Sequence, residues 1–554
     1  MKEELIKLTL DAVVSAHEAG EIPSVADIEP LIEHPKDKTH GDWATNIAMV
    51  LASQAKMPPR KIADSIVGHI NDKHHFLSKV EVAGPGFINF YLSDNWYREI
   101  LKEIKTKGDE FGHFNLGRGK TGQIEFVSAN PVGPMHVGHG RWAAVGDALA
   151  NLMTATGYEV TREFYINDYG NQMKIFGCSV AARYMELLGK KVVFPKDGYH
   201  GEYIKEIAQE IIEKEGDKYL SLSEDERGEC FKEIAYHQVL AHIKKVLLDM
   251  GIKFDVWFSE TTLHESGAIT EVISELRERG YVYDKDGAVW LKTTAFEDDK
   301  DRVLLRENGE PTYFAADIAY HKNKLARGFD KIINIWGADH HGYVQRVKAA
   351  IQALGYPKEK LKIIIGQLVN LWQGGELVRM SKRTGEMVTL EELLQEVGSD
   401  AARYFFLMRS TDTSLDFDIE LAKSQSSDNP VYYVQYAHAR ICSILKFAKE
   451  KGFSLSGTED ANLDLLGNES ELNLMRKLAE FEEVVEVCVS RMAPHRLTKY
   501  AEETASLFHV FYTKCRVINE DTELSKARLI LADCVRQVLS NILNLLGINA
   551  PEKM

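Results

Sequence analysis

A chain of 554 residues exceeds what one hydrophobic core organises, so about two to four domains are expected. Its 44% hydrophobic and 27% charged residues are ordinary for a folded globular protein, and its longest apolar runs, such as 332–336, fall far short of a membrane span. The formal charge of −16 weighs mildly against nucleic acid without excluding it, because RNA binding needs a local basic face and not a basic total. Met1-Lys2-Glu3-Glu4 shows no signal or transit pattern. Cys178, Cys230, Cys442, Cys488, Cys515 and Cys534 lie far apart with no C-x-x-C pair, which predicts reduced thiols in a cytoplasmic protein and argues against a zinc site.

Taken in chain order, 1–112 opens with a helical pattern (Leu5, Ile6, Leu8, Val13, Val14), continues through 46–55 and closes on an alternating strand at 86–91. A Gly-rich linker follows at 112–122. Its Gly119-Lys120-Thr121 is a near miss to a P-loop, rejected because Phe114 stands where the motif needs glycine. From Gln123 strands alternate with helices: strand 124–127, helix 140–156, strand 159–165, strand 331–336, helix 343–354 and strand 362–365. That alternation predicts a parallel, doubly wound sheet.

The sheet is interrupted by a predicted insertion at about 190–302, with helices at 203–215 and 230–250 and a helix and strand pair near 269–293. Asn308-Gly309 marks a hairpin turn after it. Beyond about Asp400 the pattern is helical throughout, with helices at 432–449, 471–489, 493–516 and 527–546. The predicted class is α/β: a Rossmann-type catalytic domain at 113–395, preceded by an α+β domain at 1–112 and followed by an all-α helical bundle at 396–554.

The most informative stretch is Ser128-Ala129-Asn130-Pro131-Val132-Gly133-Pro134-Met135-His136-Val137-Gly138-His139-Gly140, set between a strand and a helix. Backbone N–H groups and the dipole at such a helix start favour an anion, and two imidazoles at i and i+3 share one face. Gly138 would let a flat base come close. Half of a metal site, or a plain helix cap, are the competing readings. A second stretch, Val378-Arg379-Met380-Ser381-Lys382-Arg383-Thr384-Gly385, is a small-residue basic loop whose lysine could meet β- and γ-phosphates. Taken alone, it could equally be solvated surface.

Together, His136-Val137-Gly138-His139 and Arg379-Met380-Ser381-Lys382-Arg383 resemble the HIGH and KMSKS motifs of class I aminoacyl-tRNA synthetases. Residues 125–131, Tyr313-Phe314-Ala315-Ala316-Asp317, Gly337-Ala338-Asp339-His340-His341, Asp400-Ala401-Ala402-Arg403 and Gly41-Asp42-Trp43-Ala44-Thr45-Asn46 are similar to the arginine-specific branch, the arginyl-tRNA synthetases. The resemblance covers nearly the whole chain. It departs at Arg379 and Arg383, where the motif has lysine and serine, and at Ala402, where the family's element has leucine.

The resemblance implies a ligase that activates L-arginine with ATP and Mg²⁺ and esterifies it to tRNA(Arg), with no zinc or other metal site, no membrane and no DNA partner. It implies catalysis by His136, His139 and Lys382, and ATP binding by these with Gly138, Gly337 and Asp339. Ser128, Asn130, His139 and Gln345 would hold the α-amino and carboxylate end of arginine. Tyr313, Asp317 and Glu260 would face the guanidinium, with Glu125 a further candidate. The i, i+4 spacing of Tyr313 and Asp317 puts both on one helix face. Tyr432, Tyr436, Arg440 and the terminal Met554 would meet tRNA at the anticodon, and 1–112 would meet its elbow. A hydrogen-bonding pocket rejects analogues without proofreading, so the insertion need not be an editing domain. A cysteine-specific sister enzyme, a non-catalytic RNA-binding relative and a nucleotidylyltransferase are the rival readings.

Overall fold

The computed structural model describes residues 1–23, 30–73, 75–378, 388–453 and 457–554. The basic loop at 379–383, with Lys382 in it, lies outside the described residues. The chain forms two compact units: Met1–Phe111 with Ile441–Glu480 and Ser506–Val538, and Gly112–Arg440 with Phe481–Ala505 and Leu539–Met554.

The first unit opens as α+β. Four antiparallel strands run in the order Ile32–Glu33, Trp43–Thr45, Phe87–Leu92, Leu77–Ala83. Helices Lys2–Glu18, Ile47–Ala55 and Pro59–Gly68 bring Leu5, Ala12, Ile47 and Ile62 into one core with Ile88 and Phe90. Gly41 has φ +94°, and a Cβ there would lie 2.6 Å from the Phe90 carbonyl oxygen, so only glycine fits. Asp42 beside it accepts from the Leu92 N–H at 2.7 Å and the Tyr97 hydroxyl at 3.2 Å.

The second unit is built on five parallel strands: β1 (Thr121–Glu125), β2 (Glu159–Ile166), β3 (Val256–Ser259), β4 (Lys331–Gly337) and β5 (Leu361–Gly366). Their order is β5-β4-β1-β2-β3, so the winding reverses between β1 and β4. In such sheets ligands bind at the carboxyl ends of the strands flanking the reversal. Parallel strands are covered on both faces, and Ile332, Ile333, Asn334 and Ile335 are accordingly all buried. Helix α1 (Val137–Ala155) connects β1 to β2, α2 (Tyr313–Ala326) precedes β4, and α3 (Val344–Ala353) joins β4 to β5.

Four features differ from the sequence expectation. β1 stops at Glu125 because Val127 and Ser128 turn into the left-handed region, with φ +69° and +41°. Val256–Ser259, inside the range read as an insertion, is a strand of the main sheet, too short to stand out among helical neighbours. Beyond Asp400 the chain is not helical throughout. It contributes β8 (Leu415–Asp418), which pairs in parallel with β6 (Val369–Gln373), while β7 (Glu376–Leu377) pairs antiparallel on the other side. The buried–exposed alternation of β8 spans only four residues, less than a periodicity window resolves. The helix expected over 471–489 divides into Glu469–Ala479 and Phe481–Ser490, where the Glu480 N–H bonds three residues back to Lys477 and tightens the turn. Helix Thr522–Leu546 is long and apolar enough to span a bilayer, but 72% of its apolar window is packed inside the protein, as in a core helix.

Candidate active site

The connection from β1 to α1 carries the first half of the site. The Ser128 N–H bonds to Phe126 O at 2.9 Å across Val127, a tight turn that places a β-branched residue at positive φ. Such conformations cost of order 1–3 kcal/mol and persist where surrounding structure holds them. The Ser128 hydroxyl donates to Glu125 Oε1 at 3.0 Å and accepts from the Tyr165 N–H at 3.1 Å, which ties the turn to β2. Asn130 donates to Gln172 Oε1 at 3.2 Å.

His136 is the N-cap of α1, and its ring stacks on His139 with centroids 3.7 Å apart and 22° between planes. The His136 N–H donates to His139 Nδ1 at 3.2 Å. The proton of the neutral His139 ring therefore sits on Nε2. Gly138 serves this stack: a Cβ there would come within 3.0 Å of the His136 ring. The helix start also meets the far side of the basic loop. Leu390 N–H donates to Met135 O at 2.8 Å, and Thr389 bridges His136 in antiparallel fashion. The residues that follow 379–387 in the chain thus lie against the imidazole pair.

At the end of β4, the Asp339 carboxylate fills the space where a Cβ of Gly337 would sit, 2.6 Å away, and Asp339 is itself largely exposed.

The second half of the site is acidic. Tyr313 is exposed, and Asp317 follows one turn later on α2. A quarter of the Asp317 side chain stays accessible, so a small ligand can reach it, yet the surrounding protein strips most of its hydration. Burial, then the charge of Glu125, push its carboxyl up to about 7, opposed by a hydrogen bond from the Tyr343 hydroxyl and the charge of Lys324. Glu260 is 3% exposed. Burial also pushes it up to about 7, against a hydrogen bond from Tyr165 and with the charge of Asp168 adding to the rise. It occupies the cap position of the short helix Thr261–Glu265 but makes no capping bond. Among the described residues neither Asp317 nor Glu260 forms an ion pair with lysine or arginine.

Supporting residues invisible to the motif reading hold this pocket. Lys324, fully buried, bonds to Glu125 and donates to Asn334 Oδ1 at 2.8 Å. The Asn334 amide donates to His321 Nε2 at 2.9 Å, and His321 Nδ1–H donates to the Asp317 carbonyl at 2.8 Å. Burial pushes His321 down to about 3, so it stays neutral. Asp168 accepts from the Ser259 hydroxyl at 2.6 Å, the Tyr236 hydroxyl at 3.1 Å and the Thr261 N–H at 3.0 Å, which fixes the strand end that carries Glu260.

A signal for Lys324 existed: Tyr313, Asp317, Tyr320 and Lys324 fall at i, i+4, i+7 and i+11, one face of α2. Glu125, Ser128, Glu260 and Asp317 are brought together, with Tyr165 and Tyr343 added to them. Gln345 is not joined to Ser128 and Asn130; its amide donates to Phe296 O at 3.3 Å.

A third cluster lies on helix Pro430–Glu450. Tyr432 and Tyr436 are half-buried and nearly parallel, 6.0 Å apart at 9°, and the Arg440 guanidinium sits 5.2 Å over Tyr436. On the inward side Gln435 donates to Asp400 at 2.9 Å and to Asn549 O at 2.8 Å, and His438 Nδ1 donates to Pro551 O at 2.9 Å. Asp400 also accepts from the Asn549 N–H at 3.2 Å. The tail is thereby held to this helix, and Met554 ends it exposed. Among the described residues no group of His, Cys, Asp or Glu has a geometry that would hold a metal ion.

Three family models match the chain: the arginyl tRNA synthetase N terminal domain over residues 3–92, the catalytic domain of class I (R) tRNA synthetases over 101–419, and the DALR anticodon binding domain over 434–554. The chain is 52% identical over 553 residues to an arginine–tRNA ligase of Moorella thermoacetica, covering 100% of this chain and 99% of that protein. It is 53% identical over 540 residues to an arginine–tRNA ligase of Carboxydothermus hydrogenoformans, covering 98% and 97%. The solved Thermus thermophilus arginyl-tRNA synthetase superposes with a TM-score of 0.74 at 22% identity, covering 99% of this chain and 100% of that one, a likeness of fold.

Removing one partner of the buried Glu125–Lys324 pair strands a charge. Lys324→Met is expected to lower the unfolding free energy of this unit by about 3–5 kcal/mol in urea titration. Adding Glu125→Gln to it should restore much of the loss. A single variant as stable as the parent would show the pair contributes nothing.

Proposed function

Since the chain belongs to the arginyl-tRNA synthetase family of class I enzymes and is an arginine–tRNA ligase, we propose that the acidic pocket between α2 and the end of β1 takes the guanidinium of arginine while the imidazoles at the head of α1 face the triphosphate of ATP. The observation that carries this reading is the pair of desolvated carboxylates, Asp317 and Glu260, neither matched by a lysine or arginine among the described residues. A planar cation bonded to such carboxylates supplies the missing charge and a fixed orientation. Lysine's compact ammonium cannot make the same parallel bonds, so a polar pocket of this kind discriminates without proofreading.

With arginine so held, its carboxylate attacks the α-phosphate in line, pyrophosphate leaves, and arginyl-adenylate forms. A terminal ribose hydroxyl of tRNA, the 2′ by the class I resemblance, then attacks the mixed anhydride carbonyl and AMP leaves. His139, with its proton on Nε2, is a donor to the charge that builds on the α-phosphate, and His136 stacked against it keeps the ring from turning. Ser128, buttressed by Glu125 and the Tyr165 N–H, and Asn130 suit the α-amino and carboxylate end. Lys382 is assigned to the β- and γ-phosphates, Gly337 and Asp339 to the adenosine. Mg²⁺ would enter with ATP and supply positive charge against its phosphates.

The stacked Tyr432 and Tyr436 with Arg440 and Met554 form the face we assign to anticodon bases, because unstacked bases lie on aromatic rings and cations. The α+β segment 1–112 is assigned to the tRNA elbow, 113–395 to catalysis and 396–554 to the anticodon. The cytoplasm is the compartment that fits a translation enzyme.

ATP–pyrophosphate exchange with arginine, lysine and cysteine, with and without tRNA, tests the reading; exchange with lysine or cysteine in preference to arginine would overturn it. Arginine binds the ionised carboxylates, whose pKa values near 7 lie above the ordinary range, so its apparent Kd should rise as pH falls through about 7, by about tenfold per pH unit for each proton linked. Calorimetric titrations at several pH values check this, and Asp317→Asn should flatten the dependence while leaving ATP affinity near that of the parent. His136→Ala should slow single-turnover adenylate formation by about 100-fold with little change in ATP affinity; an unaltered rate would dismiss the imidazole role. Tyr436→Ala should raise the KM for tRNA by roughly 5- to 100-fold, as the loss of one base–aromatic stack implies, with arginine KM unchanged.

A further inference from the structure

Immediately after His139 and Gly140, α1 carries a residue that the chemistry above does not use. Arg141 is 0% exposed, and among the described residues no carboxylate forms an ion pair with it. Its guanidinium is held by three backbone carbonyls: Nη1 donates to Gln367 O and Thr413 O, both at 2.9 Å, and Nη2 to Ser410 O at 2.9 Å. Burial pushes its pKa down to about 10, against the opposing charge of Asp412, and it remains a cation at neutral pH. A buried guanidinium is costly unless it is hydrogen-bonded, so its carbonyl bonds hold these segments tightly.

The positions of the acceptors give the contact its meaning. Gln367 stands two residues before β6, and Thr413 two residues before β8, so one guanidinium gathers the starts of both parallel strands. Backbone bonds lock the same junction, from Gln367 N–H to Thr411 O at 2.9 Å and from Leu415 N–H to Leu368 O at 3.0 Å. The neighbouring Trp142 presses from α1 onto the end of β5: a Cβ on Gly366 would lie 1.9 Å from its ring. On the opposite flank, Thr389 and Leu390 pair with His136 and Met135. The β6–β7–β8 sheet is thus referenced to α1 through this junction, and α1 is the helix whose first turn carries the imidazoles.

We propose that Arg141 is a positioning residue for adenylate formation, pinning the β6–β7–β8 sheet in register with His136 and His139. It touches neither substrate nor the reacting atoms. A misplacement of about 1 Å far from the chemistry costs on the order of 100-fold in rate, so the effect should fall on the chemical step. The proposal rests on His136 and His139 being the phosphate-facing pair, and His136→Ala run alongside separates the two: a full rate in that variant removes the imidazole reading, whatever Arg141 does.

The test compares Arg141→Lys, Arg141→Met and Gly366→Ala with the parent full-length chain, in the presence of tRNA. Rates are normalised to folded enzyme by active-site titration and measured well below each melting midpoint. Expected are a fall in the rate of adenylate formation of about 30- to 100-fold in Arg141→Met, a smaller fall in Arg141→Lys, and an arginine KM within about threefold of the parent. A merely structural residue would lower the melting midpoint and the titratable fraction but leave the rate per active site untouched, and that outcome overturns the proposal. If the Arg141 variants do not fold, Gly366→Ala, which forces the same junction apart from the strand side, decides: a parental rate per site overturns it, and a slowed rate with unchanged arginine KM upholds it.

Discussion

Helix α1 is buried along almost its whole length, and the second unit depends on the polar contacts it makes while buried. Of its residues only Gly138, His139, Asn151 and Thr154 are not buried. Gly146 lets the Phe126 ring approach to where a Cβ would be, 2.2 Å away, and Gly140 does the same for Leu390 and Phe406. Asp147, next to Gly146, takes Arg403 at 2.5 Å, and that guanidinium also donates to Leu546 O and Met250 O. Arg403 leaves so little space that a Cβ on Gly547 would lie 2.0 Å from it. The Asp-Ala-Ala-Arg element therefore acts as a clasp: Arg403 grips α1 and the end of the last helix, while Asp400 holds the tail through Asn549.

The pocket beside α1 follows the opposite rule. Clasp residues are satisfied within the protein, whereas Asp317 and Glu260 are desolvated with no lysine or arginine paired to them among the described residues. Beside them, Glu125 is neutralised by Lys324 and Glu163 by the two-pronged Arg327. Placing Lys324 about two turns beyond Asp317 on the same face of α2 keeps the buried charge of the region tolerable while leaving a deficit of positive charge where a guanidinium can supply it. Tyr165 beside Glu260 and Tyr343 beside Asp317 lower the cost of ionising the two open carboxylates without contributing charge.

Local pattern in the chain was enough to establish several features. These are the alternation of strands and helices, a helix start close to His136 and His139, the shared face of Tyr313 and Asp317, and the i, i+4, i+8 stripe of Tyr432, Tyr436 and Arg440. Each is short-range, set by a helical or strand period or by a motif of contiguous residues, and needs no knowledge of what lies across the core. The motif resemblance added the family on the same footing, because contiguous residues carry it.

Tertiary structure alone decided which charges are spoken for. Glu125 and Asp317 look alike in the chain, yet one pairs with a lysine 199 residues away and the other pairs with none among the described residues. It also decided that β3 and β8 are strands, that Thr389 lies against His136, and that Asp168 and Arg141 each bond to segments far from them in the chain. Four-residue strands and contacts between distant segments leave no periodic trace, since their partners are chosen by folding and not by neighbours in sequence. The types of group in the site could be read from the chain; their pairing, and so their charge state, could only come from the fold.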